Sequence, residues 1–402
     1  MKLDRKLRVG VIFGGRSGEH EVSLMSARSV LSALDSEKYT VTQIGITHAG
    51  EWLVGGGDMG GETLPLRGVD RSPTGYNGDV LSALESGKTD VLIAVDLAPA
   101  AILPDPTRQG LYLLQPGQPG AVLQRLVELD VVFPVLHGTF GEDGTLQGLL
   151  EMAGIAYVGA GVLGSSVGMD KALFKDVMIT HHIPVLPYMV VLRSEIEKGI
   201  QEVIARLEQL APYPLFVKPA NLGSSVGISK CMHRSDLLEG LLEACRFDRR
   251  VLVEQGVNPR EIEVSVLGNE SPIASVPGEV KPSRDFYSYE AKYIDGNSEL
   301  IIPAPLSPEM TERVCDLAVR AYRAIDCAGM ARVDFLLDRD SGELYLGEIN
   351  TIPGFTKISM YPKLWEACGL AYPALVDRLI ELALERKTDN DRTVRRYRSD
   401  GR

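Results

Sequence analysis

The sequence predicts an α/β protein of two or three domains, the first built on a Rossmann-like parallel sheet. Three observations carry that expectation. Short apolar runs alternate with helical patterns from Arg8 onward, the βαβ order that gives a parallel sheet. A second alternation of strands and helices, differently composed, begins after Met169-Asp170-Lys171. At 402 residues the chain also exceeds what one hydrophobic core normally organises.

Taken in order, residues 8–13 are an apolar strand ending in Gly14-Gly15, residues 21–31 a helix and residues 39–46 the next strand. From Gly55 to Gly120 the chain is thick with Gly, Pro and Asp and reads as loops around short strands such as residues 91–95. Residues 130–136 form another buried strand, running into the loop His137-Gly-Thr-Phe-Gly-Glu-Asp-Gly144. A composition break at residues 158–161 closes a first domain, 1–160. The second, 161–254, alternates strand 187–192, helix 195–210, strand 214–218, a Gly/Ser loop at 223–227, helix 235–245 and strand 250–254. The third, 255–386, holds strands 261–267 and 272–276, a polar insertion at 277–300, helix 311–325, a hairpin starting at Arg332 and a closing helix at 373–384. Residues 387–402 read as a disordered polar tail.

Net charge of −12 argues against nucleic acid or an anionic membrane as partner. The five cysteines are scattered without a CxxC, which fits reduced thiols in a cytosolic protein better than a disulfide frame or a zinc site. The N-terminal residues carry no signal-peptide core and no run reaches transmembrane length, so a cytoplasmic location is expected.

The hairpin near the C-terminus is the richest in chemistry. Asp338-Arg-Asp-Ser-Gly342 is a turn between two strand-like runs, and folding it brings Asp334 opposite Glu348, two residues before Asn350 on the same face. Two carboxylates and an amide oxygen beside Arg332 are hard oxygen donors of the kind that suit Mg²⁺. Gly87-Lys-Thr89 resembles the end of a P-loop, but Ser82 stands where its first glycine belongs. Phe13 likewise replaces the first glycine of a dinucleotide fingerprint. A different phosphate site is available in Val217-Lys-Pro-Ala-Asn-Leu-Gly-Ser-Ser-Val-Gly227. There Lys218 ends a strand, and a flexible Gly/Ser loop can wrap phosphate oxygens with its N–H groups. Lys171 is a second candidate cation. Glu254 ends a strand where two domains meet, so its carboxylate and backbone could face an adenine edge. Glu21 stands at a loop-to-helix start, where a carboxylate is favoured and available to an ammonium. His137 ends a strand on the side where α/β folds place ligands.

In family order these segments resemble the ATP-grasp superfamily and, within it, the D-alanine–D-alanine ligases. The likeness spans most of the chain and includes Gly14-Gly-Arg-Ser-Gly-Glu-His-Glu-Val-Ser23, the His137 loop, Met169-Asp-Lys171, the Lys218 segment, Tyr289-Glu-Ala-Lys-Tyr293, Ala331-Arg-Val-Asp-Phe335 and Gly347-Glu-Ile-Asn-Thr-Ile-Pro-Gly354 with its continuation to Pro362. The resemblance implies a three-domain ATP-grasp fold, ATP as cosubstrate and two Mg²⁺ ions, with Mn²⁺ as an alternative, on Asp334, Glu348 and Asn350. Lys171 and Lys218 hold the phosphates beneath a closing loop that includes Gly223, Ser224 and Ser225. Glu254 and the backbone of Gln255 to Val257 face adenine, Phe286 packs on it and Glu261 holds the ribose. Gln255 stands where many relatives have lysine. Glu21, assisted by His137, binds the first D-alanine's ammonium; Lys292, Ser359 and Met360 bind the second substrate's carboxylate. Ser224, Tyr293 and Glu21 link the closing loops, and Arg332 with the Gly354 N–H stabilises charge on the reacting carbonyl. The 277–300 insertion acts as a lid, and a homodimer is the expected assembly. The competing readings are a ligase that joins D-alanine to D-lactate or D-serine, against which Tyr293 argues, and a catalytically inactive nucleotide-binding protein. That last reading predicts a missing metal ligand or a missing Arg332, and all of these are present.

Overall fold

The computed structural model describes residues 5–55, 80–85, 97–114, 123–223, 226–281 and 299–394. β1 (Leu7–Gly14), α1 (His20–Ala33) and β2 (Tyr39–Ile46) open the chain as the apolar pattern predicts. β3 (Trp52–Gly55), α2 (Val80–Glu85), β4 (Leu97–Ile102), β5 (Leu111–Leu114) and β6 (Leu123–Val127) follow, then β7 (Val131–Val135), α3 (Thr145–Ala153) and β8 (Ala156–Tyr157). The first sheet has the order β6-β5-β4-β3-β2-β1-β7-β8. Its β2-β1-β7-β8 half is parallel, as expected. Its other half is not: β3 to β6 continue it antiparallel, where the sequence reads as loops around short strands. The apolar positions of these strands are too few per strand to stand out against the Gly/Pro background, yet Leu53, Ala98, Leu111 and Leu113 are buried. The expected strand at 91–95 lies outside the described residues.

α4 (Val162–Met169) and α5 (Lys171–Thr180) lead into the second unit, neither being evident in the sequence pattern. It contains β9 (Tyr188–Leu192), α6 (Arg193–Leu207), β10 (Leu215–Pro219), β11 (Ser229–Cys231), α7 (Arg234–Phe247) and β12 (Arg250–Gln255). Its antiparallel sheet has the order β11-β10-β12-β9. One face packs on α6 and α7 through Val217, Leu241 and Val253; the other turns Leu252 and Ala220 toward Ala172 of α5.

The third unit has β13 (Pro259–Gly268), β14 (Ile273–Ala274), β15 (Gly278–Lys281), β16 (Glu299–Ile301), α8 (Pro308–Ala324), β17 (Gly329–Asp338), β18 (Leu344–Asn350), α9 (Met360–Ala367) and α10 (Tyr372–Asp391). Its sheet runs β16-β15-β13-β17-β18. The 277–300 insertion, expected as a loop, begins and ends as paired strands, with Val280 opposite Leu300. Its centre, with Phe286, Lys292 and Tyr293, lies outside the described residues. One further boundary moves. α10 runs on to Asp391, past the expected start of the tail, because its buried stripe from Leu375 to Ala383 anchors it against the first sheet. There Arg386 donates to the Tyr157 carbonyl at 3.0 Å, and its guanidinium lies 4.3 Å from the centroid of the Tyr157 ring. Phe355, Tyr361 and Trp365 join the same core, so the end of the chain closes back onto the first domain.

Candidate active site

Residue alternation builds one polar wall. Glu263 pairs with Asp334 and Ser265 with Arg332 between β13 and β17, and Asp334 and Arg332 pair in turn with Glu348 and Asn350 on β18. Strand periodicity therefore turns these side chains to one face, while Ile262, Val264, Val333, Phe335 and Ile349 turn to the core behind. The register shifts between Asp334 and Phe335, a bulge that leaves Gly347 unpaired and sets Glu348 against Asp334. Arg332 grips both Asp334 oxygens, at 2.7 and 2.6 Å, and reaches Glu263 at 2.9 Å. Asn350 donates to Asp334 at 2.9 Å. The donor set suits a hard divalent cation. Arg332 sits on the carboxylates themselves, so any cation taken up by Asp334 must loosen that grip.

A second wall comes from the inner face of the β10–β12 sheet. Lys171 donates to the Leu222 carbonyl at 2.7 Å and stands 3.9 Å from Glu348. It thus moors the loop after β10 to the carboxylate wall. Lys218 and Glu254 form an ion pair, and Lys175, absent from the sequence reading, meets the other Glu254 oxygen at 3.0 Å. Lys175 and Glu254 are both buried. Burial alone raises a carboxyl's pKa, yet the two lysines win and hold Glu254 at about 2. Both Glu254 oxygens are engaged by lysines, so its carboxylate orients Lys218. The chain after it is fixed by Gln255 N–H to Pro187 O at 3.0 Å and Gly256 N–H to Pro214 O at 2.9 Å. Glu261 is half-buried on the polar face, opposite Leu336, which is half-buried too.

The third wall corrects the sequence reading. Glu21 is 68% exposed and reaches toward His48, 3.7 Å away, on the outer side of α1. Glu19 is only 8% exposed. A side chain at Gly138 would strike the Glu19 carboxylate at 2.5 Å, and one at Gly223 would meet it at 3.1 Å. Glu19 is therefore wedged between the loop after β7 and the loop after β10, and the left-handed backbone at Gly138, φ +74°, favours glycine there. Two positions separate the acids: α1 starts at His20, so Glu19 belongs to the loop and Glu21 to the helix surface.

Glu142 also enters here unpredicted. It accepts from the Gly138 N–H at 2.8 Å and the Ile352 N–H at 3.0 Å. Burial, then the neighbouring Glu19, push it up to about 8 against the pull of those two bonds. Its signal was the Gly141-Glu142-Asp143 turn, read only as part of a loop. His137 is buried and engaged at both nitrogens. Nδ1 donates to Ile352 O at 2.9 Å and Nε2 accepts from Ser26 at 3.1 Å, whose hydroxyl accepts the Phe355 N–H at 3.2 Å. Burial lowers its pKa, so the ring is neutral. It braces the Gly354 loop and does not reach for an ammonium. Gly354 sits against Ser359, 3.2 Å from a Cβ built on it, and Ser359 is the N-cap of α9. Met360 buries its side chain with Val280 and Leu364, leaving only its backbone toward the site. Ser224 and Ser225 lie outside the described residues.

Sequence profiles of the D-ala D-ala ligase N-terminus and D-ala D-ala ligase C-terminus match residues 8–160 and 177–381. The chain belongs to the D-alanine–D-alanine ligase family. A D-alanine–D-alanine ligase of Natranaerobius thermophilus is 48% identical, covering 96% of this chain and 98% of its own length. Among solved structures, the D-alanine–D-alanine ligase from Coxiella burnetii is 35% identical with a TM-score of 0.74, covering 96% of both chains. The D-Ala:D-Ser ligase of Enterococcus faecalis is 34% identical with a TM-score of 0.77, covering 94% of this chain and 100% of its own. Membership identifies the fold as ATP-grasp and the chain as an ATP-dependent ligase, and the three walls bring lysines, a carboxylate pair and a buried acid together. Among the described residues no helix is long and apolar enough to cross a membrane.

Proposed function

We propose that this family member joins two D-alanine molecules into D-alanyl-D-alanine at the expense of ATP, in the cytoplasm and as a homodimer, for peptidoglycan precursor synthesis. The observation that carries it is that the loop after β10 is held at Leu222 by Lys171, which stands 3.9 Å from Glu348, and lies at Gly223 against Glu19. The γ-phosphoryl of ATP moves onto the first D-alanine's carboxylate with loss of ADP. The neutral amine of the second then attacks that acyl carbon, phosphate leaves and the amine's proton is released. Both steps concentrate negative charge, so preorganised cations and N–H groups are the main catalytic resource.

Lys171 and Lys218 face the phosphates, with Lys218 held in place by Glu254 and Lys175. The 223–227 loop, including Ser224 and Ser225, covers them. The backbone from Gln255 to Val257 meets adenine, with Leu336 beneath it, Phe286 against it and Glu261 on the ribose. Asp334, Glu348 and Asn350 would hold Mg²⁺, or Mn²⁺, in two ions, which when bound neutralise and align the transferring phosphoryl group. Arg332 and the Gly354 N–H face charge on the acyl carbonyl. Glu19, replacing Glu21 in this role, takes the first ammonium, and Glu19, Ser224 and Tyr293 tie the closing loops together. Lys292, Ser359 and the first N–H groups of α9 meet the second carboxylate, since a helix N-terminus favours an anion.

The likeness to a D-Ala:D-Ser ligase keeps one second reading, in which D-serine is the second substrate. Mass spectrometry of products formed from ATP, Mg²⁺ and D-alanine, alone and with D-serine or D-lactate, separates the readings. Dipeptide with equimolar ADP and phosphate is expected; a mixed product dominating at equal concentrations overturns the D-alanine assignment.

A further inference from the structure

His20 and Glu21 open α1, and His48 stands in the turn after β2. Neither histidine has a part in the ligation chemistry above. His20 is buried, and its Nδ1–H is donated to the Gly15 carbonyl at 2.9 Å, which leaves the lone pair on Nε2. His48 stacks on that ring with centroids 3.8 Å apart and planes inclined by 24°. Its Nε2 is 3.7 Å from Glu21 Oε1. The turn presenting His48 is closed by Thr47 N–H to Glu51 O at 2.9 Å and Gly50 N–H to Thr47 O at 2.9 Å. One ligand atom from each of the three side chains falls within 4.8 Å of the other two.

We propose that His20, Glu21 and His48 bind one divalent transition ion of the zinc class, at a site separate from the Asp334–Glu348 wall. Two imidazoles with one carboxylate select borderline ions such as Zn²⁺, Co²⁺ or Ni²⁺ over Mg²⁺, and three protein ligands leave a fourth position for water. A carbonyl on the far nitrogen of His20 is the outer contact that orients a metal-bound imidazole and fixes its tautomer. To take up an ion with bonds of about 2.0–2.2 Å the three atoms must draw together by as much as about 1.5 Å and His48 must turn out of its stack on His20, because near-parallel rings cannot aim both lone pairs at one ion. Glu21 and His48, each 68% exposed at the side chain, have the freedom to do so. The positive end of α1 opposes a cation there, and the Glu21 carboxylate in its first turn offsets that opposition. The ion would tie the turn after β2 to the start of α1, from the side opposite Glu19.

The test is a Co²⁺ titration of the full chain in millimolar Mg²⁺, read by visible absorption, with Zn²⁺ binding read in parallel as a rise in melting temperature. One equivalent of Co²⁺ is expected, without a sulfur-to-cobalt charge-transfer band. His48→Ala and Glu21→Gln should each weaken binding by about tenfold or more and remove the Zn²⁺-dependent rise in melting temperature. His233→Ala, which removes the exposed histidine beside Asp236, should leave both readouts unchanged. Equal affinity in the chain and in His48→Ala, a thiolate band, loss of binding in His233→Ala, or no binding below millimolar Co²⁺ each overturns the proposal.

Discussion

Two acids two residues apart make opposite claims on the first substrate, and exchanging each for its amide separates them. Glu19 is 8% exposed and lies against the backbone at Gly138 and Gly223, whereas the Glu21 side chain is 68% exposed on the outer face of α1. A carboxylate–ammonium pair at about 4 Å in an effective dielectric near 20 is worth about 4 kcal/mol. Truncating one partner of such a buried pair costs about 2–5 kcal/mol. Glu19→Gln should therefore lower kcat/KM for the first D-alanine by about thirtyfold to a thousandfold or more. Glu21→Gln, at an exposed position, should stay within about twofold, because surface changes usually fall within about 0.5 kcal/mol. The helix start should survive both changes, since the Glu19 side chain makes no capping hydrogen bond. Initial rates across D-alanine concentrations, with circular dichroism to check the fold, decide the matter. If Glu21→Gln costs more than Glu19→Gln, the placement of the ammonium beside Glu19 is wrong.

Asp334→Asn removes a charge but little volume, and should cut turnover by about 10²–10³-fold while leaving the melting temperature within a few degrees; near-normal turnover at saturating Mg²⁺ would refute the carboxylate wall as the cation site. Glu254 sits below its ordinary 4.5 in the folded chain, so its contribution is present above that value and is lost as pH falls toward 2. Lys175→Met leaves it with Lys218 alone and should cost about 2–3 kcal/mol at pH 7, measured by urea unfolding, with a shallower acid limb than the parent chain. Tyr293→Phe should shift the ratio of dipeptide to depsipeptide toward D-lactate at fixed pH, and an unchanged ratio counts against a Glu19–Ser224–Tyr293 set. The second-site KM for D-alanine should fall from neutral to mildly alkaline pH, because the attacking amine must be neutral and a free amino acid's ammonium holds its proton above the ~7.7–8.0 of a peptide α-amine, whereas D-lactate should show no such gain; a flat profile points to an enzyme base.

What the sequence made legible depends on how local the cause is. The β17–β18 hairpin needs only period-two alternation and a turn rich in Asp, Ser and Gly, which brings Asp334 to within about one residue of Glu348 across the ladder; the bulge beside Asp334 sets the final pairing. The parallel half of the first sheet was equally readable, because strands buried on both faces leave continuous apolar runs such as residues 8–13. The antiparallel half was not, since its four described strands are only four to six residues long and their partners are set by neighbouring strands.

The errors within the site share a different cause. Glu19 and Glu21 have the same chemistry, and which one faces inward is decided by whether the helix begins one residue earlier or later, a boundary that sequence patterns place only loosely. Lys175 resembles any helix-surface lysine until α5 is laid across the β10–β12 sheet; only then is its ammonium buried and paired with Glu254. His137 looked like a ligand because strand ends in α/β folds often carry one, yet its ring bridges Ser26, far behind it in the chain, to Ile352, far ahead. A motif thus reports which residue types gather at an opening, while the duty of each is assigned by long-range contacts. Glu142 carries that conclusion furthest. Nothing in its neighbours along the chain distinguishes it from Asp143, but burial and the nearby Glu19 carboxylate push it up to about 8 against the pull of the Gly138 and Ile352 N–H groups, all of them set by the fold.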